Sequence, residues 1–163
     1  MTRYLGIDPG LSGALAVVET INGVPMLVDV IDMPMTGSGA KARVDVIAAA
    51  TWISQHAPST AFIERAQAYP GQGASSGFSY GRAAGAIETV VALCRVPLIL
   101  VEASGWKRRL NLPGKDKEAA RQRALRDHGR AEAALIVVAS LLTTTTSVMA
   151  SAPTTAVAVE RVP

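Results

Sequence analysis

The 163-residue chain has one cysteine, few aromatic side chains (4%) and no long apolar run. Cys94 alone cannot form an internal disulfide, which excludes a disulfide-stapled secreted scaffold. An uncharged segment spans 133–159, but its apolar part ends at residue 142. A membrane span needs about 20 mostly apolar residues, and the first apolar stretch, 4–7, is too short for a signal peptide. We therefore expect a soluble, cytoplasmic protein without a membrane partner.

The composition is that of a single globular domain, with 49% hydrophobic and 18% charged residues. We expect residues 1–142 to form this domain and the low-complexity residues 143–163 to be a flexible tail. The formal net charge is +3, but residues 1–94 carry −2 and residues 95–132 carry +5. The basic segment indicates either a polyanion partner or a solvated helix face.

Hydrophobic patterning predicts three consecutive strands at 3–7, 13–20 and 24–31, the last two joined by the hairpin signal Asn22-Gly23. A helix over 44–56, a buried strand over 61–64, a helix over 77–94 and a strand over 97–101 follow. The last two predicted elements are a basic helix over 115–126 and an Ala-rich helix over 130–142. This order predicts an α/β fold, with a mixed five-stranded sheet flanked by helices.

Three carboxylates stand beside apolar core sequence. Asp8 follows the strand residues Leu5-Gly6-Ile7, Glu64 ends the strand Ala61-Phe62-Ile63, and Glu132 lies within a helix that otherwise reads as buried. Taken singly, each is commonly a turn cap or a salt-bridge partner. Ionised carboxylates in an apolar setting must be paired or bind a cation. Together they indicate an all-oxygen site for Mg²⁺ or Mn²⁺.

Several motifs resemble the RuvC-type Holliday-junction resolvases, most closely their compact phage and bacterial branch. The segment Tyr4-Leu5-Gly6-Ile7-Asp8-Pro9-Gly10 resembles the family's opening, and the resemblance extends over roughly residues 3–142. It includes Phe62-Ile63-Glu64 with the loop Tyr69-Pro70-Gly71-Gln72-Gly73, the pair Trp106-Lys107, and Gly129-Arg130-Ala131-Glu132-Ala133. The resemblance implies an RNase H-like fold and an endonuclease that resolves four-way junctions by paired phosphodiester hydrolysis. Two Mg²⁺ ions per active site, replaceable by Mn²⁺, would support the reaction.

The resemblance also implies roles for individual residues. Asp8, Glu64 and Glu132 match the family's catalytic metal ligands, and Lys117 matches a catalytic lysine. The fourth ligand is His128 or Asp127. The implied DNA contacts are Tyr69, Lys107, Arg108, Arg109, Lys115, Lys117 and Arg121.

His128 precedes Glu132 by four residues and therefore shares its helix face. Asp127 reaches the site only if Gly129 interrupts the helix; alternatively, Asp127 caps the helix and His128 is exposed. We favour His128 as a ligand or base, which predicts that activity falls below about pH 6.5.

A four-way junction has two-fold symmetry, so paired incision favours a homodimer. The helix over 77–94 repeats Gly77, Gly81 and Gly85, a small-residue face suited to a partner helix or to the protein's own sheet. Other functions stay open. An RNase H-like nuclease acting on flaps or RNA–DNA hybrids and a non-catalytic junction-binding protein both fit the sequence. An actin-like kinase or ATPase would need more residues than this chain has.

Overall fold

A computed structural model describes residues 1–67, 71–110 and 132–141. Residues 132–141 are helical, and a short 3₁₀ turn spans Gly39–Lys41. The other elements, in chain order, are β1 (Thr2–Asp8), β2 (Ala14–Ile21), β3 (Val24–Asp32), β4 (Met35–Thr36), β5 (Arg43–Val44), α1 (Val46–His56), β6 (Thr60–Glu64), α2 (Ala74–Leu93), β7 (Leu98–Val101) and α3 (Ala103–Arg109).

The five long strands form one mixed sheet in the order β3-β2-β1-β6-β7. Strands β1, β2 and β3 are antiparallel neighbours, and the turn between β2 and β3 places Asn22 and Gly23 at φ values of 52° and 79°. Strands β6 and β7 run parallel to β1, which requires the crossover helices α1 and α2. The predicted mixed five-stranded sheet is therefore confirmed.

Helices cover both faces of the sheet. Alternate strand residues, among them Leu5 and Ile7 of β1, pack with α1 and α2 in one core. The opposite strand face contributes Val18 and Phe62 to a second core with α3 and the helix over 132–141. In the part of the chain that the structure describes, no helix is long and apolar enough to cross a membrane.

Helix α1 begins at Val46, two residues after the start of the predicted helix over 44–56, because Asp45 caps it. The Asp45 carboxylate accepts hydrogen bonds from the backbone N–H groups of Ile47 and Ala48, at 3.1 and 3.0 Å. The helix ends at Ala57, which has a left-handed φ of 44°, directly before Pro58. Helix α2 starts at Ala74, three residues earlier than the spacing of Gly77, Gly81 and Gly85 predicts.

Two features of the fold differ from the sequence interpretation. The sequence predicts no strand between residues 31 and 61, but β4 pairs with β5 in a small separate ribbon, and a 3₁₀ turn lies between them. Helix α3 was not predicted, because seven residues with one large apolar side chain, Trp106, are too few to show a helical period. The predicted basic helix over 115–126 and the tail over 143–163 lie outside the described residues.

Candidate active site

Two of the predicted acids lie side by side at one edge of the sheet. Asp8 ends β1 and Glu64 ends β6, and these parallel strands pair up to Ile7 and Ile63. Parallel strands that end together present their terminal side chains at the same edge. Asp8 shares the strand face of Gly6, which carries the helix over 132–141.

Gly6 brings the third acid to this edge. A Cβ atom at Gly6 would overlap the Ala133 carbonyl oxygen and lie 2.7 Å from Cγ2 of Val137. The helix over 132–141 therefore packs directly on the β1 backbone, and its first described residue is Glu132. Asp8 interacts electrostatically with both Glu132 and Glu64, so the three carboxylates form one cluster, called here the acid cluster.

Helix α3 supplies a hydrogen bond and an ion pair to the acid cluster. The indole N–H of Trp106 donates a 2.8 Å hydrogen bond to Oε2 of Glu64, and the Trp106 side chain is fully buried. Lys107 Nζ lies 3.3 Å from Oε1 of Glu132 and 4.9 Å from the Trp106 ring centroid. Trp106 thus orients Glu64 from within the core, and Lys107 is the cation beside the acids.

Burial and the crowding of negative charge raise the pKa values of two of these acids. Burial, with repulsion from Glu132 and Glu64, raises the pKa of Asp8 to about 7, although the Gly10 backbone N–H and Lys107 act in the opposite direction. Burial chiefly raises the pKa of Glu64 too, against the Trp106 hydrogen bond and the charge of Lys107. Among the described residues, Lys107 alone does not balance the negative charge of the cluster, and a further cation would stabilise its ionised form.

The donor chemistry of the acid cluster suits a hard cation. Carboxylate oxygens are the ligands that Mg²⁺ and Mn²⁺ prefer, and burial together with the neighbouring acids raises the pKa of Asp8, so a bound cation would favour its ionised form. Within the described ranges, however, no group of three or more His, Cys, Asp or Glu side chains is arranged to hold a metal ion. Asp127 and His128, the two candidates for the fourth ligand, lie outside those ranges.

Of the other predicted site residues, three lie in the described part of the chain, all on α3. Lys107 was predicted to contact DNA, and the structure places it in the acid cluster, half-buried. Arg108 is exposed on α3, and Arg109 is the last residue of that helix. The remaining predicted residues lie outside the described part of the chain: Tyr69, Lys115, Lys117 and Arg121.

Sequence reasoning missed the supports of the acid cluster. The sequence resemblance includes Trp106 only as part of the pair Trp106-Lys107, and its full burial shows that it belongs to the core. Its hydrogen bond to Glu64 joins residues 42 positions apart, so no local sequence pattern predicts this contact. For Gly6 a signal was available, because a glycine inside a strand often marks close approach of another backbone.

A mixed sheet in the order β3-β2-β1-β6-β7, with helices on both faces and acids at the ends of β1 and β6, is an RNase H-like fold. More particularly, the chain has the fold of RuvC. It is similar to Thermus thermophilus RuvC, with 19% identity, a TM-score of 0.66, and coverage of 89% of this chain and 97% of that one.

A second solved structure, T. thermophilus RuvC in complex with a Holliday junction substrate, is 18% identical with a TM-score of 0.65. The match covers 90% of this chain and 98% of that one. No family model matches the chain, and no curated protein matches it. The likenesses therefore establish the fold, which is the one that the sequence resemblance predicts.

Proposed function

We propose that the chain is a metal-dependent endonuclease that resolves four-way DNA junctions by paired phosphodiester hydrolysis. The observation that carries this proposal is the convergence of Asp8, Glu64 and Glu132 at one edge of the sheet. Support comes from the shared fold with a RuvC solved in complex with a Holliday junction substrate. Function resides in the site rather than the fold, so the acid cluster is the stronger argument.

In this proposal Asp8, Glu64 and Glu132 hold the metal, with His128 favoured over Asp127 as the fourth ligand. Two Mg²⁺ ions would supply an activated water and stabilise the leaving oxygen. The chain's own residues orient the ligands, because the Trp106 N–H fixes one oxygen of Glu64 and the Gly10 N–H bonds Asp8. Lys107 provides positive charge at the same edge of the sheet, where a DNA phosphate would approach.

The proposal is tested by offering purified protein a labelled four-way junction, a linear duplex, a flap and an RNA–DNA hybrid, each with Mg²⁺. We expect cuts in two opposing strands of the junction, at symmetric positions, and little cleavage of the linear duplex. Denaturing gels of each labelled strand measure the products, and EDTA should abolish them.

Two outcomes would contradict this function and favour the alternatives that the sequence left open. Preferential cleavage of the hybrid or the flap would identify an RNase H-like nuclease with another substrate. Tight junction binding without cleavage in Mg²⁺ or Mn²⁺ would identify a binding protein. Asp29→Asn is a suitable control, because Asp29 lies on β3, two strands from β1 and level with Leu5.

We also propose that the enzyme works as a homodimer through α2. Gly81 and Gly85 are exposed, and a Cβ atom at either would meet nothing within 4 Å. Phe78, on the same helix, is 71% exposed. In the described part of the chain the small-residue face therefore points away from the protein's own sheet, which supports a partner helix as the reason for these glycines.

Gly85→Leu is expected to abolish the dimer while leaving the protomer folded. The new side chain has open space in the protomer, and replacing a glycine inside a helix stabilises the helix by up to about 1 kcal/mol. At a close helix–helix contact, however, it would separate the backbones. Sedimentation and light scattering, with and without junction DNA, measure the change.

Ala48→Leu adds similar bulk to an exposed position of α1 and should leave the dimer intact. A wild-type protein that stays monomeric with and without junction DNA would refute the dimer. If the Gly85→Leu variant is still a dimer, the dimer interface does not include this face of α2.

A further inference from the structure

A groove lies between α2 and the start of α1, on the sheet face opposite α3. Its cavity volume is about 240 Å³. The floor is apolar and continuous with the α1–α2 core, and two arginines stand at the rim. The floor residues are Leu11, Val44, Ala83 and Ala86, and the rim residues are Arg43 and Arg82.

Both rim guanidinium groups are available to an anion. Arg43 and Arg82 are exposed, and neither takes part in an ion pair within the described ranges. The acid nearest in sequence, Asp45, directs its Oδ1 atom to the N-terminus of α1. Two like charges at one rim repel each other, and a bound anion would relieve that repulsion.

Arg82 is held in position before any ligand binds. Its Nη2 atom donates a 2.8 Å hydrogen bond to the Ala42 carbonyl oxygen, and its guanidinium carbon lies 5.7 Å from the Phe78 ring centroid. The hydrogen bond joins α2 to the segment that leads into β5. Because Arg43 follows Ala42 directly, the same hydrogen bond keeps the two rim arginines together. A rim prearranged in this way loses less side-chain entropy on binding.

The groove is close to the acid cluster along the chain. Leu11 follows Asp8 by three residues, so their Cα atoms are at most about 11 Å apart. The intervening turn packs on α2, since a Cβ atom at Gly10 would lie 3.7 Å from the Tyr80 ring. Lys107 flanks the cluster from the α3 side of the sheet, and the groove flanks it from the other. Positive charge therefore lies on both faces of the sheet near the end of β1.

We infer that Arg43 and Arg82 bind backbone phosphates of the cleaved DNA strand, within a few nucleotides of the scissile phosphate. This inference rests on the proposed function. It gives the protein a second basic surface for DNA, besides the basic segment that the charge distribution of the sequence indicates. Guanidinium groups suit phosphate because they donate parallel hydrogen bonds to two of its oxygens. Contacts of this kind set the register of the strand and carry no sequence information.

The test measures junction binding as a function of salt for wild type, Arg43→Gln and Arg82→Gln, with EDTA present to prevent cleavage. Each lost phosphate contact should lower the slope of log K against log salt by about 1. Raising the salt from 50 to 200 mM weakens junction binding by wild type. It should weaken binding by the double variant Arg43→Gln/Arg82→Gln roughly tenfold less, because two salt-dependent contacts are gone. Arg43→Gln is the cleaner variant, because Arg43 makes no side-chain hydrogen bond within the described ranges.

Arg95→Asn is the matched control. Arg95 is exposed, follows α2 by two residues, and has a left-handed φ of 58°, which asparagine tolerates. It lies 13 residues beyond Arg82, so it removes one charge about 20 Å away. We expect this variant to keep the wild-type slope.

Neutral methylphosphonates placed at the phosphates on either side of the cut locate the contact. They should weaken wild-type binding and have a smaller effect on Arg43→Gln, because the two changes remove the same interaction. If wild type binds and cuts junctions but both arginine variants keep its slope and affinity, the groove inference is wrong and the proposed function stands. If wild type does not bind junctions at all, both are overturned.

Discussion

Asp8→Asn is expected to abolish junction cleavage, with a loss well beyond about 100-fold, and to leave junction binding intact or tighter. Asp8 belongs to the acid cluster proposed to hold the metal, and even residues that only support metal ligands commonly cost 10–100-fold when replaced. Binding should survive because the basic residues stay in place and one repulsive carboxylate is removed. Glu64→Gln is expected to behave in the same way. Single-turnover cleavage and anisotropy measured on the same junction separate the two effects.

The same substitution should stabilise the metal-free protein at neutral and alkaline pH. The pKa of Asp8 rises from an ordinary value of 3.8 to about 7, so keeping this group ionised in the fold costs at most about 4 kcal/mol. Between pH 4 and pH 7 the folded protein retains a proton that the unfolded chain has released. The contribution of Asp8 to stability therefore falls as pH rises through that window.

Urea unfolding in EDTA measures this contribution. Asp8→Asn and wild type should have similar stability near pH 4, and the variant should be the more stable above pH 7. Added Mg²⁺ should then raise the melting temperature of wild type and have little effect on the variant, since only a ligand bound by the native state stabilises it. Asp29→Asn serves as the control for the Mg²⁺ measurement, since Asp29 contacts His56 rather than the acid cluster.

The metal assignment would be wrong if Asp8→Asn or Glu64→Gln cut the junction at nearly the wild-type rate. A wild-type protein whose melting temperature did not respond to Mg²⁺ or Mn²⁺ would contradict it independently of the substrate. Equal stability of wild type and Asp8→Asn at every pH would instead show that the Asp8 carboxylate is not crowded in solution.

Gly6→Ala, which adds a single methyl group, is expected to damage both the fold and the site. The added carbon would overlap the Ala133 carbonyl oxygen, and a backbone atom cannot turn aside as a side chain can. Overpacking of a core typically costs about 1–3 kcal/mol, and here relief requires the helix over 132–141 to move off β1. Because Glu132 starts the described part of that helix, it would move away from Asp8, and cleavage should be lost.

Thermal or urea unfolding measures the stability loss, and the pH dependence of stability measures the separation of the acids. With Glu132 displaced, the raised pKa of Asp8 should fall towards its ordinary range. Gly73→Ala is the matched control, since a Cβ atom there meets nothing within 4 Å and its φ of −61° suits alanine. A Gly6→Ala protein with wild-type stability and activity would show that the helix does not pack on β1 in this way.

The sequence by itself determined the sheet and the members of the acid cluster. Strand alternation placed Leu5 and Ile7 on one face and Gly6 on the other, and the structure confirms that arrangement. The hairpin at Asn22-Gly23 and the cap at Asp45 follow local rules that neighbouring residues satisfy on their own. Asp8 and Glu64 are recognisable in the sequence because burying an ionised carboxylate among core residues costs free energy unless it is paired or binds a cation.

Only the tertiary structure decided what surrounds those acids. Trp106 and Glu64 meet across 42 positions, Lys107 meets Glu132 across 25, and Gly6 carries a helix that begins more than 120 residues later. The rim of the groove likewise joins Arg43 to Arg82 through two separate elements. Hydrophobic periodicity reports which side of an element is buried, because burial acts on each element locally. It does not report which distant side chain completes a contact, since that depends on how the strands and helices cross.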